Sequence, residues 1–287
     1  MNVAIRRAEP SDIDVCARIN YEAFKDISDR HQFPPTDFPT LEFSTEIIGF
    51  LIESPLFFDI VAESSGAVVG CGFMDERNPI RGIGPVSVDR TFQGRSTGRE
   101  IMKALLERGQ DAVGIRLVQE PFNMASLSLY ASLGFEVKEP FVLMQGKFRS
   151  QPQHGFEVRP MASEDVGECA ALCEKLCGCD RTSEIEDALN DFSAFVACRQ
   201  GQIVAYTCAV SALSHSVAQT EADMQALLLG AAAYISEELL SFHLPLRYAS
   251  LFRWCLQEGL RALKPMAVMA VGEYQSPEGC WFPSFAY

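Results

Sequence analysis

Val86-Ser-Val-Asp-Arg-Thr-Phe-Gln-Gly-Arg-Ser-Thr-Gly98 is the most informative stretch of this chain. Val86-Ser87-Val88 reads as a short strand. Gln93-Gly94-Arg95-Ser96-Thr97-Gly98 is a run of mostly small residues. Behind it, Arg99–Glu107 has helical spacing, with Ile101, Leu105 and Leu106 on one face. A strand, a small-residue loop and a helix together present free backbone N–H groups to an anion. The first N–H groups of a helix have no partner, and the macrodipole favours negative charge there. Gly and Ser leave those amides open to a phosphate. Arg90, Arg95 and Arg99 gather positive charge around the same loop. The run is neither of the two commonest phosphate loops: it has no Gly-Lys-Ser/Thr and no G-x-G-x-x-G spacing.

Further along, Asn123-Met-Ala-Ser126-Leu-Ser-Leu-Tyr130-Ala-Ser-Leu-Gly134-Phe135 reads as a helix with Asn123 as N-cap and Gly134 as C-cap residue. The two stretches, in this order with a strand between them, resemble the two signatures of the GNAT family of N-acetyltransferases. The first is the Gln/Arg-x-x-Gly-x-Gly/Ala loop, with Ser96 standing where the family usually has Gly. The second is Asn-x-x-Ser/Ala-x-x-x-Tyr-x-x-x-Gly-Phe, matched at every position. The resemblance covers about residues 3–148. It implies an α/β (α+β) fold, a mixed and mostly antiparallel sheet flanked by helices, with a splayed strand pair that admits the pantetheine arm. It implies acetyl-CoA as co-substrate, gripped by Val86, Ser87, Val88, Gln93, Gly94, Arg95, Ser96, Thr97, Gly98, Arg99, Asn123, Ser126 and Tyr130. It also implies an N–H near Val88 facing the thioester carbonyl, and Tyr130 as the acid for the departing sulfur.

Around these stretches, Val3–Arg7 is expected as a strand and Ser11-x-x-Asp14 as the cap of the first helix. Residues 30–40 contain three prolines and are irregular; His31, Phe33 and Phe38 are candidate walls of an acceptor pocket. Leu41–Ser54 reads as a helix, Phe57–Glu63 and Ala67–Asp75 as a hairpin, and Gly82–Val88 and Ala112–Gln119 as the strands that would splay. Pro85, which cannot donate to a ladder, fits either lost pairing or an edge strand. Phe135–Val137 and Phe141–Phe148 are expected to close the first domain.

Arg149–Gly155 is a polar linker, and the chain beyond it repeats the beginning. Ile5-Arg6 … Asp12 returns as Val158-Arg159 … Asp165, Ala62 … Gly66 as Ala197 … Gly201, and Gly134 … Pro140 as Gly259 … Pro265. Ordered matches of this kind indicate duplication. The expected domains are 1–149, binding acetyl-CoA, and 150–287, a degenerate copy with a structural or acceptor-shaping role. In the second copy the loop region Ser216–Asp223 has no Gly but carries Glu221 and Asp223, which would repel a pyrophosphate, and Cys255 stands at the position of Tyr130. The aromatic end, Trp281–Tyr287, is expected to lie buried as a final strand against the N-terminal half.

The 287 residues suffice for two domains, and the formal charge is −14. Residues 1–150 hold 16 basic and 21 acidic side chains, a net −5, and residues 151–287 hold 8 and 17, a net −9. Such a surface argues against nucleic acid and anionic membrane and suits a cationic amine acceptor, small molecule or peptide, although a solvated acidic face is the plainer explanation. No apolar run is long enough to span a bilayer, and no signal core follows the N-terminus, so a cytoplasmic protein, monomer or homodimer, is expected. The ten cysteines, Cys169, Cys173, Cys177 and Cys179 among them, lack metal-ligand spacing and are read as reduced, small apolar side chains. Asp75, Glu76 and Glu120 are the candidate general bases, each with the alternative of being a solvated loop carboxylate. The expected activity is acetyl transfer from acetyl-CoA to a primary amine by direct attack; the alternative is a non-catalytic CoA- or acyl-CoA-binding regulatory protein.

Overall fold

A computed structural model describes residues 3–190, 194–235, 240–285 and 287, and the chain forms two compact units. The first runs to Glu136 and includes residues 270–272; the second holds Val137–Met269, Glu273–Phe285 and Tyr287. The first unit contains β1 (Ala4–Arg7), α1 (Ile13–His31), α2 (Leu41–Glu53), β2 (Phe57–Ser64), β3 (Ala67–Asp75), β4 (Ile80–Val88), α3 (Thr97–Arg108), β5 (Gly114–Gln119) and α4 (Met124–Ser132). Its strands lie in the order β1-β2-β3-β4-β5. The first four are antiparallel neighbours, and β5 runs parallel to β4. This is the mixed, mostly antiparallel sheet expected of the family.

Alternation along the strands separates two faces. Cys71 and Phe73 of β3 pack with Cys16 and Ala17 of α1 and Ile48 and Leu51 of α2. On that face Ser87 is buried; its hydroxyl donates to Asn20 Oδ1 at 2.7 Å, Asn20 Nδ2 donates to Ser44 Oγ at 3.3 Å, and Ser44 Oγ donates to the Ala17 carbonyl at 2.9 Å. The other face carries α3. A Cβ at Gly72 would lie 2.5 Å from Ile101 and 3.1 Å from Leu105, so only glycine lets α3 seat this closely.

Two irregularities open the middle of this sheet. The β3–β4 register slips between Gly72↔Val86 and Met74↔Ile83, so Gly84 and Pro85 together oppose Phe73 as a bulge. The parallel β4–β5 pairing starts at Ile80↔Gly114 and stops at Ile83↔Leu117, although both strands continue. This is the splayed pair, and Pro85 sits at its start.

The second unit contains β6 (Glu136–Gly146), β7 (Glu157–Pro160), α5 (Val166–Cys177), α6 (Thr182–Asn190), β8 (Phe195–Arg199), β9 (Gln202–Thr207), β10 (Ser216–Ala218), α7 (Glu221–Tyr234), β11 (Leu240–Pro245), α8 (Ala249–Glu258), β12 (Arg261–Gly272) and β13 (Cys280–Phe282). β7-β8-β9-β10-β13 form one sheet, and β6 lies between β11 and β12. The duplication is visible bond by bond. Ile5 pairs with Ala62, and Val158 pairs with Ala197; on the other side of those strands the β2–β3 ladder slips at Ala62/Glu63 and the β8–β9 ladder at Ala197/Cys198. Arg6 grips Asp12 at 2.7 and 3.0 Å while Asp12 accepts from Glu9 N; Arg159 grips Asp165 at 2.6 and 2.9 Å while Asp165 accepts from Ala162 N. Phe135 N donates to the Tyr130 carbonyl at 3.1 Å, and Leu260 N to the Cys255 carbonyl at 3.0 Å.

Three expectations need correction. The first helix is entered through the Glu9–Asp12 turn rather than a Ser11–Asp14 cap, because Arg6 fixes Asp12 beneath the Glu9 amide. The two closing strands expected around Pro140 are one continuous strand, β6. The aromatic end does form a strand, β13, but it pairs with β10 in the second unit's own sheet rather than against the N-terminal half; Ala286 lies outside the described residues. Among the described residues no helix is long and apolar enough to cross a membrane. All ten cysteines are buried, and none is in a disulfide.

Candidate active site

The loop between β4 and α3 is built to leave its amides open. Asp89 accepts from Thr91 N at 2.9 Å and from Thr91 Oγ1 at 2.6 Å, which tightens the turn leaving β4. Those hydrogen bonds, Thr91 Oγ1 first, hold the Asp89 carboxyl below its ordinary range. Gly94 and Ser96 then take left-handed backbone, at φ 72° and 69°. A Cβ at Gly94 would meet nothing, so the glycine serves backbone freedom there rather than space. Ser96 is the N-cap of α3 but forms no side-chain cap bond, so its hydroxyl does not cover the first amides of the helix. Gln93 turns back along the strand, Nε2 donating to the Val88 carbonyl at 3.1 Å.

The backbone of β4 faces the gap in alternation. Asp89 N donates to the Val69 carbonyl directly opposite at 2.9 Å. In an antiparallel ladder the hydrogen-bonded pairs alternate, so Ser87 bonds to β3 while the N–H and C=O groups of Val86 and Val88 point to the β5 side. Beyond Ile83 that side is the splay. The side chain of Ser87 is committed to Asn20, so residues 86–88 offer the gap backbone groups only.

Tyr130 reaches the same region on α4. Asn123 caps this helix, accepting from Ser126 N at 3.3 Å. The helix packs on the start of α3: a Cβ at Gly98 would lie 3.5 Å from Leu129 and 3.7 Å from Val88, and Arg99 donates to Ser132 Oγ at 2.9 Å. Burial pushes the Tyr130 phenol up to about 12, against a smaller opposite pull from the Ser126 hydrogen bond. Its ring meets Phe135 edge-on at 6.2 Å. Both signature stretches therefore meet at one end of the sheet, at the C-terminal ends of β4 and β5.

The charged groups are less uniform than the sequence suggests. Arg90 pairs with Asp26 at 3.0 Å, Arg99 is drawn to α4, and exposed Arg95 lies over the Phe92 ring at 5.5 Å. Glu76 accepts from both Arg108 Nε and Nη2 at 2.9 Å, so both of its oxygens already serve an ion pair. Asp75 is buried and accepts from the Arg77 backbone and guanidinium at 2.6–3.1 Å. Glu76 is thus engaged as the ion-pair partner of the last turn of α3. Glu120 is buried immediately after the splayed end of β5, where its carbonyl accepts from Asn123 N at 2.8 Å.

The α1–α2 segment does reach this end. His31 and Phe33 lie against Phe122, at 5.2 and 4.4 Å between rings. Phe38 instead packs edge-on against Phe24 at 4.9 Å and is buried, so it is core rather than wall. Phe122 was not singled out from sequence, where nothing distinguishes it. Gln119 was not either, although a polar residue closing an otherwise apolar strand could have marked it.

The corresponding stretch of the second unit is bound up in its own polar contacts. Thr220 Oγ1 accepts from Asp223 N at 3.2 Å and donates to Asp223 Oδ2 at 2.7 Å. Asp223 is 0% exposed and pairs with Arg199 at 3.0 Å. Glu221 accepts from Leu251 N at 2.8 Å.

Comparison with known proteins agrees with the fold. Residues 20–135 match the model of the acetyltransferase (GNAT) family. A candidate acetyltransferase from Pyrococcus horikoshii superposes with a TM-score of 0.74 at 18% identity, covering 99% of this chain and 92% of its own. A GCN5-related N-acetyltransferase from Sphaerobacter thermophilus gives 0.62 at 13% identity, over 96% of this chain and 98% of that one. A tandem GNAT protein from the clavulanic acid biosynthesis pathway gives 0.59 at 13% identity, over 96% and 100%. No curated protein matches at a significant level. Residues 20–135 of the first unit thus match the GNAT acetyltransferase family model, and the two-unit chain has the fold of a tandem GNAT protein.

Proposed function

We propose that this protein is an acetyl-CoA-dependent N-acetyltransferase that transfers acetyl to a primary amine by direct attack. The observation that carries the reading is the meeting of three features at one end of the first sheet. These are the uncapped start of α3 behind Gly94 and Ser96, the splay beyond Ile83 and Leu117, and the desolvated Tyr130 phenol. The residues fit the coenzyme. The amides of Thr97 and Gly98, with Arg95 beside them, suit a pyrophosphate. Val86 and Val88 offer backbone groups to an extended arm, with Gln93, Arg99, Asn123 and Ser126 framing the loop and α4.

Bound acetyl-CoA supplies an activated thioester. The chain's residues then supply three services. The Val88 N–H is the donor for the carbonyl oxygen as it gains charge. Tyr130, neutral at pH 7, holds the proton for the departing sulfur. Glu120 takes a proton from the ammonium form of the acceptor, directly or through water, because an alkylammonium with a pKa of about 10 is not a nucleophile. The acidic surface favours a cationic acceptor, small molecule or peptide. The buried thiols, none in a disulfide, suit a reducing cytoplasm. The two copies join near residues 149 and 150, and the second binds no coenzyme because Thr220, Glu221 and Asp223 occupy its loop.

The engagement of Glu76 with Arg108 favours a second reading, a CoA-binding protein without transfer, since it removes one of the candidate bases. Thiol release from acetyl-CoA, assayed across a panel of amines, separates the two. Amine-dependent release that is lost in Glu120→Gln supports transfer. Tight CoA binding with no release for any amine supports the second reading.

A further inference from the structure

Gln119 ends β5 two residues beyond the last β4–β5 pair, Ile83↔Leu117. Its side chain is only 5% exposed, and neither Oε1 nor Nε2 has a hydrogen-bond partner among the described residues. A buried primary amide left unpaired loses its hydration with nothing in return, so its retention calls for an explanation. By strand alternation Gln119 shares a face with Ile115 and Leu117. That is the α3 face, since a Cβ at Gly109, the residue ending α3, would lie 2.8 Å from Ile115 Cδ1. Because α3 connects two parallel strands, it runs back against them, and its start stands over their C-terminal ends. Gln119 is therefore at the end of the sheet that carries the 93–98 loop, beside the gap into which Val86 and Val88 direct their backbone groups.

A carboxamide presents a donor and an acceptor side by side. The ligand group that satisfies both at once is another amide, offering C=O and N–H together. We infer that Gln119 is the side-chain reader of the amide-bearing arm in this gap, Nε2 donating to an arm carbonyl and Oε1 accepting from an arm N–H. The inference rests on the coenzyme reading above and adds a positioning residue to it: Gln119 fixes how far the arm enters, and so where the thioester stands relative to Val88 and Tyr130.

The test uses the full chain, calorimetric titration and thermal unfolding, with two probes: CoA, and 3′-phospho-ADP, which has the phosphates but no arm. Gln119→Leu keeps the volume and removes both polar atoms. It is expected to unfold at a higher temperature than the wild type without ligand, to bind CoA about ten-fold more weakly, and to bind 3′-phospho-ADP unchanged. Gln119→Met, similarly apolar but flexible, serves if the leucine variant does not fold, with the same expectations. CoA affinity equal to wild type, or a lowered unfolding temperature, would overturn the inference, the latter by revealing a structural amide. Equal loss for both probes would also overturn it, since the arm would not be what Gln119 reads. A wild type that binds neither probe would instead sink the coenzyme reading itself.

Discussion

Tyr130 is tied to its helix by Ser126 and to the sheet end by Phe135, and burial holds its phenol neutral far above the working pH. Tyr130→Phe should therefore lower kcat by about 10²- to 10⁴-fold, the usual range for a removed acid, with a far smaller effect on CoA affinity. A raised phenol pKa means the proton is kept as pH rises. Loss of Tyr130's proton should cause no fall in kcat/KM between about pH 8 and 10, and a spectroscopic titration should show this phenol ionising only near pH 12. An alkaline fall abolished by Tyr130→Phe would contradict the assignment. At this scale the sequence was readable wherever spacing did the work: Asn123, Ser126 and Tyr130 follow from one helical repeat. It was not readable where a partner is remote. Arg108, 32 residues beyond Glu76, turns a candidate base into an ion pair, and nothing local announces it.

The Arg6–Asp12 and Arg159–Asp165 pairs show how duplication fixes an element rather than a residue. Each aspartate ties the turn before a helix to the strand preceding it, and each carboxyl is held below its ordinary range, first by its arginine. Asp165→Asn should lower stability at pH 7 by about 1–3 kcal/mol, as a buried charged hydrogen-bond partner is lost. A lowered native pKa contributes stability that is complete above the unfolded value of about 4 and disappears as pH falls through the native value. Chemical denaturation should therefore find wild type and variant separated at pH 7 and converging in strong acid; a gap that persists there would contradict the linkage. The repeat could be read from sequence because its turns and glycines recur at ordered offsets. The cap at Glu9–Asp12 was misplaced because two acidic residues, Asp12 and Asp14, compete locally, and only Arg6 on the neighbouring strand decides between them.

For the whole molecule, the fold class and the duplication were legible, but the assignment of β6 was not. That strand follows α4 of the first copy, yet it lies in the second unit and pairs with β11 from Leu240↔Gly146 to Pro245↔Phe141. Apolar strand residues state that a strand will be buried, not against which copy. Phe141 and Met144 are fully buried there. A fragment of residues 134–287 should consequently fold cooperatively, whereas residues 150–287, lacking β6, should unfold readily and expose the edge of β11. Equal stability of the two fragments by circular dichroism and denaturation would contradict this assignment.

A single coenzyme site on the 93–98 loop of the first unit is to be sought by calorimetric titration of the intact chain with acetyl-CoA, alongside Gly98→Glu. A side chain at Gly98 begins in ordinary contact with Leu129 and Val88, so the variant should fold while placing a carboxylate at the start of α3. One site per chain is expected in the wild type and none in the variant. Two sites, or binding undiminished by Gly98→Glu, would contradict it.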